Sequence, residues 1–322
     1  MAKCSICGKP AIAYVPYQRR YYCAEHFADH VLSKVRRTLR KYRLVGGGDR
    51  VLAAVSGGKD SAVLLDVLAR LKREFGYQLA ALHIDLGIGE YSVESRRAVE
   101  SLVRDLGVPL IVFPVKEALG YSIPEMAMRL RRPACSVCGM VKRYIYNAFG
   151  VEGRAKVATG HNADDIMSFA LKGFITQDLS SIPKLAPRTP GIEGLAAERI
   201  RPLYSVYEKE SYLYALVRGL PHYHQECPHA RLTSLEFRIK EMINRLEEER
   251  PGLKLGFLSK HAKNANQYPR ERWEPSPCSS CGLLSSGGEC SFCRTTRRLR
   301  GEPLGRSVRE YARAQLERLG WM

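Results

Sequence analysis

Ser56-Gly57-Gly58-Lys59-Asp60-Ser61 follows the apolar run RVLAAV (50–55) and directly precedes AVLLDVLARL (62–71). The first run reads as a strand and the second as a helix. A strand feeding a glycine turn and then a helix N-terminus presents free backbone N–H groups and a positive dipole end to an anion. Glycines let the backbone approach a phosphate closely, Ser56 and Ser61 can add hydroxyl donors, and Lys59 adds charge. The loop is not a Walker A loop, which needs Gly-Lys followed by Ser or Thr; here Asp60 follows Lys59. An acidic residue inside a phosphate cradle makes most sense if it also holds a magnesium ion or orients the loop. The plain alternative is an ordinary Gly-Gly turn.

Outward from this loop, short apolar runs alternate with helical stretches between residue 50 and about residue 232, the pattern of a parallel α/β sheet with helices on both faces. Strands are expected at 51–55, 79–84, 110–113, 157–159 and, more weakly, 199–203. Helices are expected near 61–74, 92–106, 137–149, 164–173 and 208–218. The stretch 180–195 is rich in Pro and Gly and reads as a long loop. The spacing predicts five segments: an N-terminal zinc module (1–30), a catalytic domain (31–232) opening on a basic amphipathic helix at 31–45, and a helical linker (233–270). A Cys4 zinc module (271–296) and a basic tail (297–322) complete the chain. In the linker, a charged helix from Ser234 should end at Pro251-Gly252.

A second motif, Gly160-His161-Asn162-Ala163-Asp164-Asp165, follows the short strand Val157-Ala158-Thr159. Alone it would be weak, because paired aspartates often just cap a helix. About a hundred residues after SGGKDS it becomes a specific pairing.

The chain has 322 residues, 45% of them hydrophobic, which suits a folded globular protein rather than a disordered one. No apolar run approaches the ~20 residues of a membrane span, and MAKCSICGKP carries no apolar signal region, so a cytoplasmic protein without membrane attachment is expected. Lys plus Arg number 51 against 33 acidic residues, a formal charge of +18. That field attracts polyanions. Basic runs recur at KVRRTLRKYR (34–43), RLRR (129–132) and RTTRRLR (294–300). A solvated surface is the bland reading of those runs; the net imbalance favours a nucleic acid partner.

Ten cysteines in such a protein argue for metal chemistry over disulfides, and they fall into three sets. Cys4-x2-Cys7 with Cys23-x2-His26, and Cys278-x2-Cys281 with Cys290-x2-Cys293, each offer four ligands at the spacing of a tetrahedral, closed, structural Zn2+ site. Rubredoxin-like or redox-active thiols are the rival reading. The central set stays one short: Cys135-x2-Cys138 lies in RRPACSVCGMVKRYIYN, and Cys227 sits in HYHQECPHA. Three thiolates would leave one iron of a [4Fe-4S] cluster without a protein ligand, open to a hydrosulfide or substrate. Two alternatives stand beside this. His222, His224 or His229 could complete a third zinc site, or Cys135 and Cys138 could form a redox dithiol.

SGGKDS and GHNADD together resemble the PP-loop ATP pyrophosphatase superfamily, whose members cleave ATP between the α- and β-phosphates. Across Cys4 to Cys293, the chain is similar to the TtuA group of tRNA 2-thiolation enzymes. The matching blocks are the N-terminal knuckle, AVSGGKDS, LHIDLGIGEYS, ACSVCGMVKRYIYN, VATGHNADD, ECPHA and the final four-cysteine module. LHIDLGIGEYS and the terminal modules distinguish it from the related tRNA 2-thiocytidine enzymes. The resemblance implies a [4Fe-4S] cluster on Cys135, Cys138 and Cys227. It implies ATP contacts from Ala54, Val55, Ser56, Gly57, Gly58, Lys59, Asp60, Ser61, His83, Ile84, Gly160 and Asp165, with Mg2+ accompanying ATP. Lys59, Asp60, Lys142 and Asp165 match catalytic positions. Ile166 departs from the Glu of bacterial relatives, and 167–184 diverges.

The implied reaction is adenylation of the C2 oxygen of a tRNA uridine, first choice U54 in the T-loop, followed by replacement with sulfur. The implied partners are tRNA, a thiocarboxylated ubiquitin-like sulfur carrier and a second copy of the chain in a homodimer. Three alternatives are kept: a wobble U34 thiolase, another PP-loop tRNA-modifying enzyme such as a lysidine-type ligase, and a non-catalytic zinc-bearing RNA-binding protein.

Overall fold

The structure is a computed structural model and describes residues 2–230, 234–269 and 274–321. A hairpin of β1 (Ala13–Val15) and β2 (Arg20–Tyr22) leads into α1 (Ala24–Lys41), which is amphipathic and buries Phe27, Val31, Val35 and Leu39. There follow β3 (Arg50–Val55), α2 (Lys59–Phe75), β4 (Gln78–Asp85), α3 (Gly89–Leu106) and β5 (Leu110–Pro114). Two short helices, α4 (Val115–Leu119) and α5 (Ile123–Leu130), precede the long α6 (Ala134–Glu152). Next come β6 (Lys156–Ala158), α7 (Ala163–Ile175), β7 (Arg188–Thr189), β8 (Arg199–Ile200) and α8 (Glu208–Val217). Beyond them lie α9 (Leu235–Glu249), α10 (Leu253–Asn264), the two-residue strands β9 (Ser276–Pro277) and β10 (Leu284–Ser285), α11 (Ser291–Arg300) and α12 (Gly305–Arg318).

The main sheet runs β5-β4-β3-β6-β8-β7, parallel except for the last pair. Its strands are buried on both faces, and alternate residues go to opposite cores. Val51, Ala53, Val55, Leu79 and Ala81 join α1, α2, α3 and α8 in one core. Leu52, Ala80, Leu82 and Ile84 join α5, α6 and α12 in the other. Val15 and Tyr22 of the N-terminal module belong to the first core, whereas Cys278, Cys281, Cys290 and Cys293 are buried in the second. The two cysteine modules thus clamp opposite faces of one sheet.

Sheet order reverses at β3. The chain proceeds outward through β4 and β5, then returns to place β6 on the other side of β3. Ligands of open α/β sheets bind outside the carboxyl ends of strands at such a switch point. SGGKDS leaves β3 and GHNADD leaves β6, so both motifs occupy it.

Several sequence expectations need correction. The 180–195 stretch is not wholly irregular: it contains a 3-10 helix at Leu179–Leu185 and the antiparallel edge strand β7. Arg201 holds it in place by donating to the carbonyl of Lys184 (2.6 Å) and to Thr189 Oγ1 (3.1 Å). β8 is shorter than the expected 199–203, because a turn begins at residue 202. The 30/31 boundary falls inside α1 and the 296/297 boundary inside α11, since each helix carries a module's last ligand and then continues into core packing. The boundaries at 232/233 and 270/271 fall on residues outside the described ones. The expected helix is present as α9, capped by Ser234 and ending before Pro251; a second helix, α10, follows it, and Ile239 and Ile243 of α9 pack against Met167. The tail forms α12, which buries Val308, Ala312 and Leu316. Among the described residues, no helix is long and apolar enough to cross a membrane.

Candidate active site

Gly57 adopts φ +91°, a left-handed conformation that favours glycine, and a Cβ there would lie 2.7 Å from the Ser95 carbonyl of α3. The loop can therefore pass under α3 only as glycine. Gly58 then caps α2, whose first residues are Lys59 and Asp60. Ser61 Oγ donates to the Gly58 carbonyl (2.8 Å) and accepts from Ser56 N–H (3.1 Å), which fixes the cradle's width. Ala54 and Val55 are buried at the end of β3 and act through backbone position. A Cβ on Gly160 would approach the Asp60 backbone to 3.2 Å, so the two motifs touch.

A ring of charges closes over the helix N-termini. Lys59 Nζ donates to Asp60 Oδ2 (2.9 Å) and to Glu208 Oε1 (2.8 Å). Asn162 Nδ2 donates to Asp60 Oδ1 (3.3 Å). Asp165 Oδ2 accepts from Asn162 N–H (3.2 Å), a capping box for α7, and its Oδ1 accepts from Lys240 Nζ (2.8 Å). Lys240 also pairs with Glu208 Oε2 at 2.7 Å. Burial would push the Glu208 carboxyl up, yet Lys240 and Lys59 hold it down to about 2. It is thus ionised throughout the neutral range. Burial also works against Lys59, but Asp60 and Glu208 outweigh it and raise its pKa. For Asp60, burial wins over the neighbouring Lys59 and moves the carboxyl upward. Asp164 is more deeply buried, paired with Lys254, and accepts from the Glu208 N–H (2.8 Å).

Lys240 and Glu208 were not among the residues singled out from sequence. A lysine in a helix rich in Glu, Lys and Arg looks like part of a solvated face. Only the packing of α9 on α7 turns it inward.

At the end of β4, His83 is buried, and its Nδ1–H donates to the Val55 carbonyl (2.9 Å). Its Nε2 is buried with no partner among the described residues. Burial lowers the imidazole pKa, so the ring is neutral and Nε2 offers a lone pair. His83 and Ile84 line a narrow slot with Val55, Ser56, Ser95 and Lys142. A buried acceptor without a donor is a cost that a ligand N–H in this slot would remove.

The three central cysteines converge beside that slot. Cys135 and Cys138 occupy the first turn of α6 with Lys142 one turn further on, and Cys227 comes from the segment after α8. Tyr223 N–H in that segment donates to the Gly57 carbonyl (2.8 Å), which ties it to the nucleotide loop. Cys135 Sγ donates to the His229 carbonyl (3.2 Å). Burial pushes the Cys138 thiol up, Lys142 pulls it down, and Cys227 and Cys135 raise it further. The thiols are therefore close enough to feel one another, and Cys135 is exposed.

Their spacing differs from that of the outer sets. Four sulfurs around one zinc at about 2.3 Å sit roughly 3.8 Å apart. Cys7 and Cys23 are separated by 3.8 Å, and Cys281 and Cys290 by 4.0 Å. His26 Nδ1 lies 3.5 Å from Cys4 Sγ and 3.4 Å from Cys23 Sγ. Cys4, Cys7, Cys23 and His26 form one group with all ligand atoms within 4.8 Å, and Cys278, Cys281, Cys290 and Cys293 another. Among the described residues, neither the central cysteines nor His222, His224 and His229 complete such a group. All ten cysteines are unbridged in this structure.

A family described as a PP-loop domain matches residues 29–227. One described as the N-terminal LIM domain of the 2-thiouridine synthetase TtuA matches residues 3–28. The chain is 40% identical over 296 residues to a tRNA-5-methyluridine(54) 2-sulfurtransferase of Pyrococcus horikoshii, covering 91% of this chain and 93% of the relative. The Thermus thermophilus protein of the same name is likewise 40% identical over 296 residues, with 90% of each chain covered. Among solved structures, the U34-tRNA thiolase NcsA from Methanococcus maripaludis with its [4Fe-4S] cluster superposes with a TM-score of 0.77 at 26% identity. That match covers 93% of this chain and 97% of the other.

Proposed function

Since this chain belongs to the TtuA group of PP-loop tRNA 2-thiolation enzymes, we propose that it replaces the C2 oxygen of a tRNA uridine with sulfur at the cost of ATP. The observation that carries this reading is the hydrogen bond from Tyr223 N–H to the Gly57 carbonyl, which joins the segment bearing Cys227 to the phosphate loop. On this reading the bond makes the adenylating and sulfur-handling sites neighbours. U54 is the favoured target because both 40%-identical relatives carry that position in their names. U34, named for the structural neighbour at 26% identity, is the second choice.

The uridine C2 oxygen is a poor leaving group, and AMP attached to it is a good one. In the proposed reaction, the backbone N–H groups of 56–61 and the α2 dipole hold the β- and γ-phosphates. Lys59 stabilises charge as pyrophosphate departs. Asp60 would turn from Lys59 to hold Mg2+, whose charge would offset the desolvation that raises the carboxyl's pKa. His83 Nε2 accepts a hydrogen bond from the ligand in the slot. Lys142 and Asp165 move the proton at the base, Asp165 after release from Lys240. A [4Fe-4S] cluster on Cys135, Cys138 and Cys227 would supply an iron without a protein ligand for carrying sulfur. Each outer set would hold one structural Zn2+. A thiocarboxylated ubiquitin-like carrier as sulfur source, a homodimer and a cytoplasmic location complete the proposal.

Anaerobic incubation of the reconstituted protein with ATP, a sulfide donor and unmodified tRNA tests it, read by nucleoside mapping. 2-Thiouridine at position 54 with AMP release is the expected product. Thiolation at 34 alone would select the second reading, and no AMP with any tRNA would sink both.

Lys240→Met removes the cation shared by Glu208 and Asp165. A hydrogen bond to a charged group contributes about 1.5–3 kcal/mol, so the KM for ATP should rise ~10–100-fold. Lys240→Arg should recover part of it. Unchanged ATP kinetics in Lys240→Met would show the ring to be idle.

A further inference from the structure

We propose that the groove between α6 and α11 docks the phosphate backbone of the tRNA and brings the target nucleotide to the three cysteines; this rests on the tRNA-thiolating reading above. The groove has a volume of about 430 Å³ and is lined by Arg132, Arg143, Arg294 and Arg298, with Ser136 and Thr295 between them. All four arginines are exposed. The only side-chain hydrogen bond any of the four guanidinium groups makes among the described residues runs from Arg132 Nη2 to Ser136 Oγ (3.3 Å), and no carboxylate there lies within ion-pair distance of them.

That lack is selective. Arg297, next to Arg298, pairs with Glu289, and Arg309 and Arg313 both pair with Glu152. Four like charges facing one groove repel each other, which costs stability unless an anion spans them. Two further cations extend the track. Arg129 and Arg300 lie over the same Tyr121 ring, at 4.6 and 6.0 Å from its centroid. The basic runs 129–132 and 294–300 therefore form one surface, although they are far apart in sequence.

The groove is rigid and adjoins the chemistry. Ser136 lines it and directly follows Cys135. Tyr144 of α6 stacks on Phe292 of α11 with centroids 3.8 Å apart and planes 5° from parallel. Tyr144 OH donates to the Gly305 carbonyl at 3.0 Å. The zinc-type module thus holds α11, and its arginines, at a set distance from the cysteine helix. Guanidinium forks match phosphate oxygens in pairs. A single carboxylate would engage one or two of these arginines, whereas a continuous run of phosphates engages them all.

The test is tRNA affinity across a salt series for Arg294→Glu/Arg298→Glu and Arg294→Gln/Arg298→Gln, with zinc content and the thermal transition as folding controls. Each lost phosphate contact flattens the slope of log affinity against log salt by roughly 0.7–0.9. Both variants should show a slope shallower by about 1.4–1.8, and the Glu variant an affinity lower by ~10–100-fold at moderate salt. Wild-type affinity and slope in both variants would overturn the proposal. So would a loss of binding to a ubiquitin-like carrier with tRNA affinity intact, which would make the groove a protein surface. A wild-type protein that binds tRNA with the steep slope but forms no 2-thiouridine would instead defeat the functional reading and leave the groove standing.

Discussion

Cys227→Ala is expected to abolish tRNA thiolation, with a fall on the order of 10³-fold or more, as for removal of one member of a group that acts as a unit. Cys227 is the lone central cysteine outside α6, so its loss leaves Cys135 and Cys138 as a pair on one helical turn. Two thiolates cannot hold a cubane that needs at least three ligands. The reconstituted variant should lose its iron and cluster absorbance but keep the zinc of the outer sets. His222→Ala, His224→Ala and His229→Ala should each retain iron. Among the described residues none of the three completes a ligand group with the central cysteines, and His229 meets Cys135 through its backbone oxygen. Full thiolation by Cys227→Ala would sink the proposed mechanism.

The second large effect is structural. Cys281→Ala should cut bound zinc from two ions per chain to one and lower the unfolding free energy by on the order of 4–5 kcal/mol, seen as a sharply lower thermal transition, as for loss of a structural metal. The cause lies in the burial of this module. Cys278, Cys281, Cys290 and Cys293 belong to the hydrophobic core that includes α6 and α12. Arg309 Nη1 donates to the Cys281 carbonyl at 2.6 Å, and a Cβ on Gly305 would reach Cys281 Cβ and Cys293 Sγ at 2.5 Å. Collapse of the site therefore loosens α11, α12 and the face of α6 that carries Cys135 and Cys138. Cys7→Ala should cost less, because Cys7 is exposed and its module sits at the rim of the other core. Equal melting of Cys281→Ala and the parent protein, with zinc halved, would contradict this account.

Much of this molecule can be read from local pattern. The strand–SGGKDS–helix succession predicted β3, its loop and α2, because strand, glycine turn and helix cap are all decided within about twenty residues. The outer ligand sets were legible for a similar reason: Cys-x2-Cys and Cys-x2-His spacings place two donors on one short turn, so the pairs are local even when the ion is not. The central set showed itself by arithmetic, three cysteines where the others reach four donors. The small elements were harder. Two-residue strands such as β7 and β8 carry too little period to register, and β7 is held by Arg201 rather than by its own sequence. The tail read as basic, yet Val308, Ala312 and Leu316 form an apolar stripe that needed the facing α6 to explain it.

Sequence by itself therefore determined the nucleotide loop, its partner motif, the division of the cysteines and the sign of the protein's charge. These follow from backbone geometry, ligand count and composition, which neighbouring residues settle among themselves. Tertiary structure alone decided three things: that Tyr223 ties the Cys227 segment to Gly57, that Lys240 closes a ring with Asp165 and Glu208, and that two distant basic runs share one groove. Each joins side chains or backbone groups separated by many residues. A charge or hydrogen bond across that distance leaves no period in the sequence, and only the packing of helices on the sheet brings its two ends together.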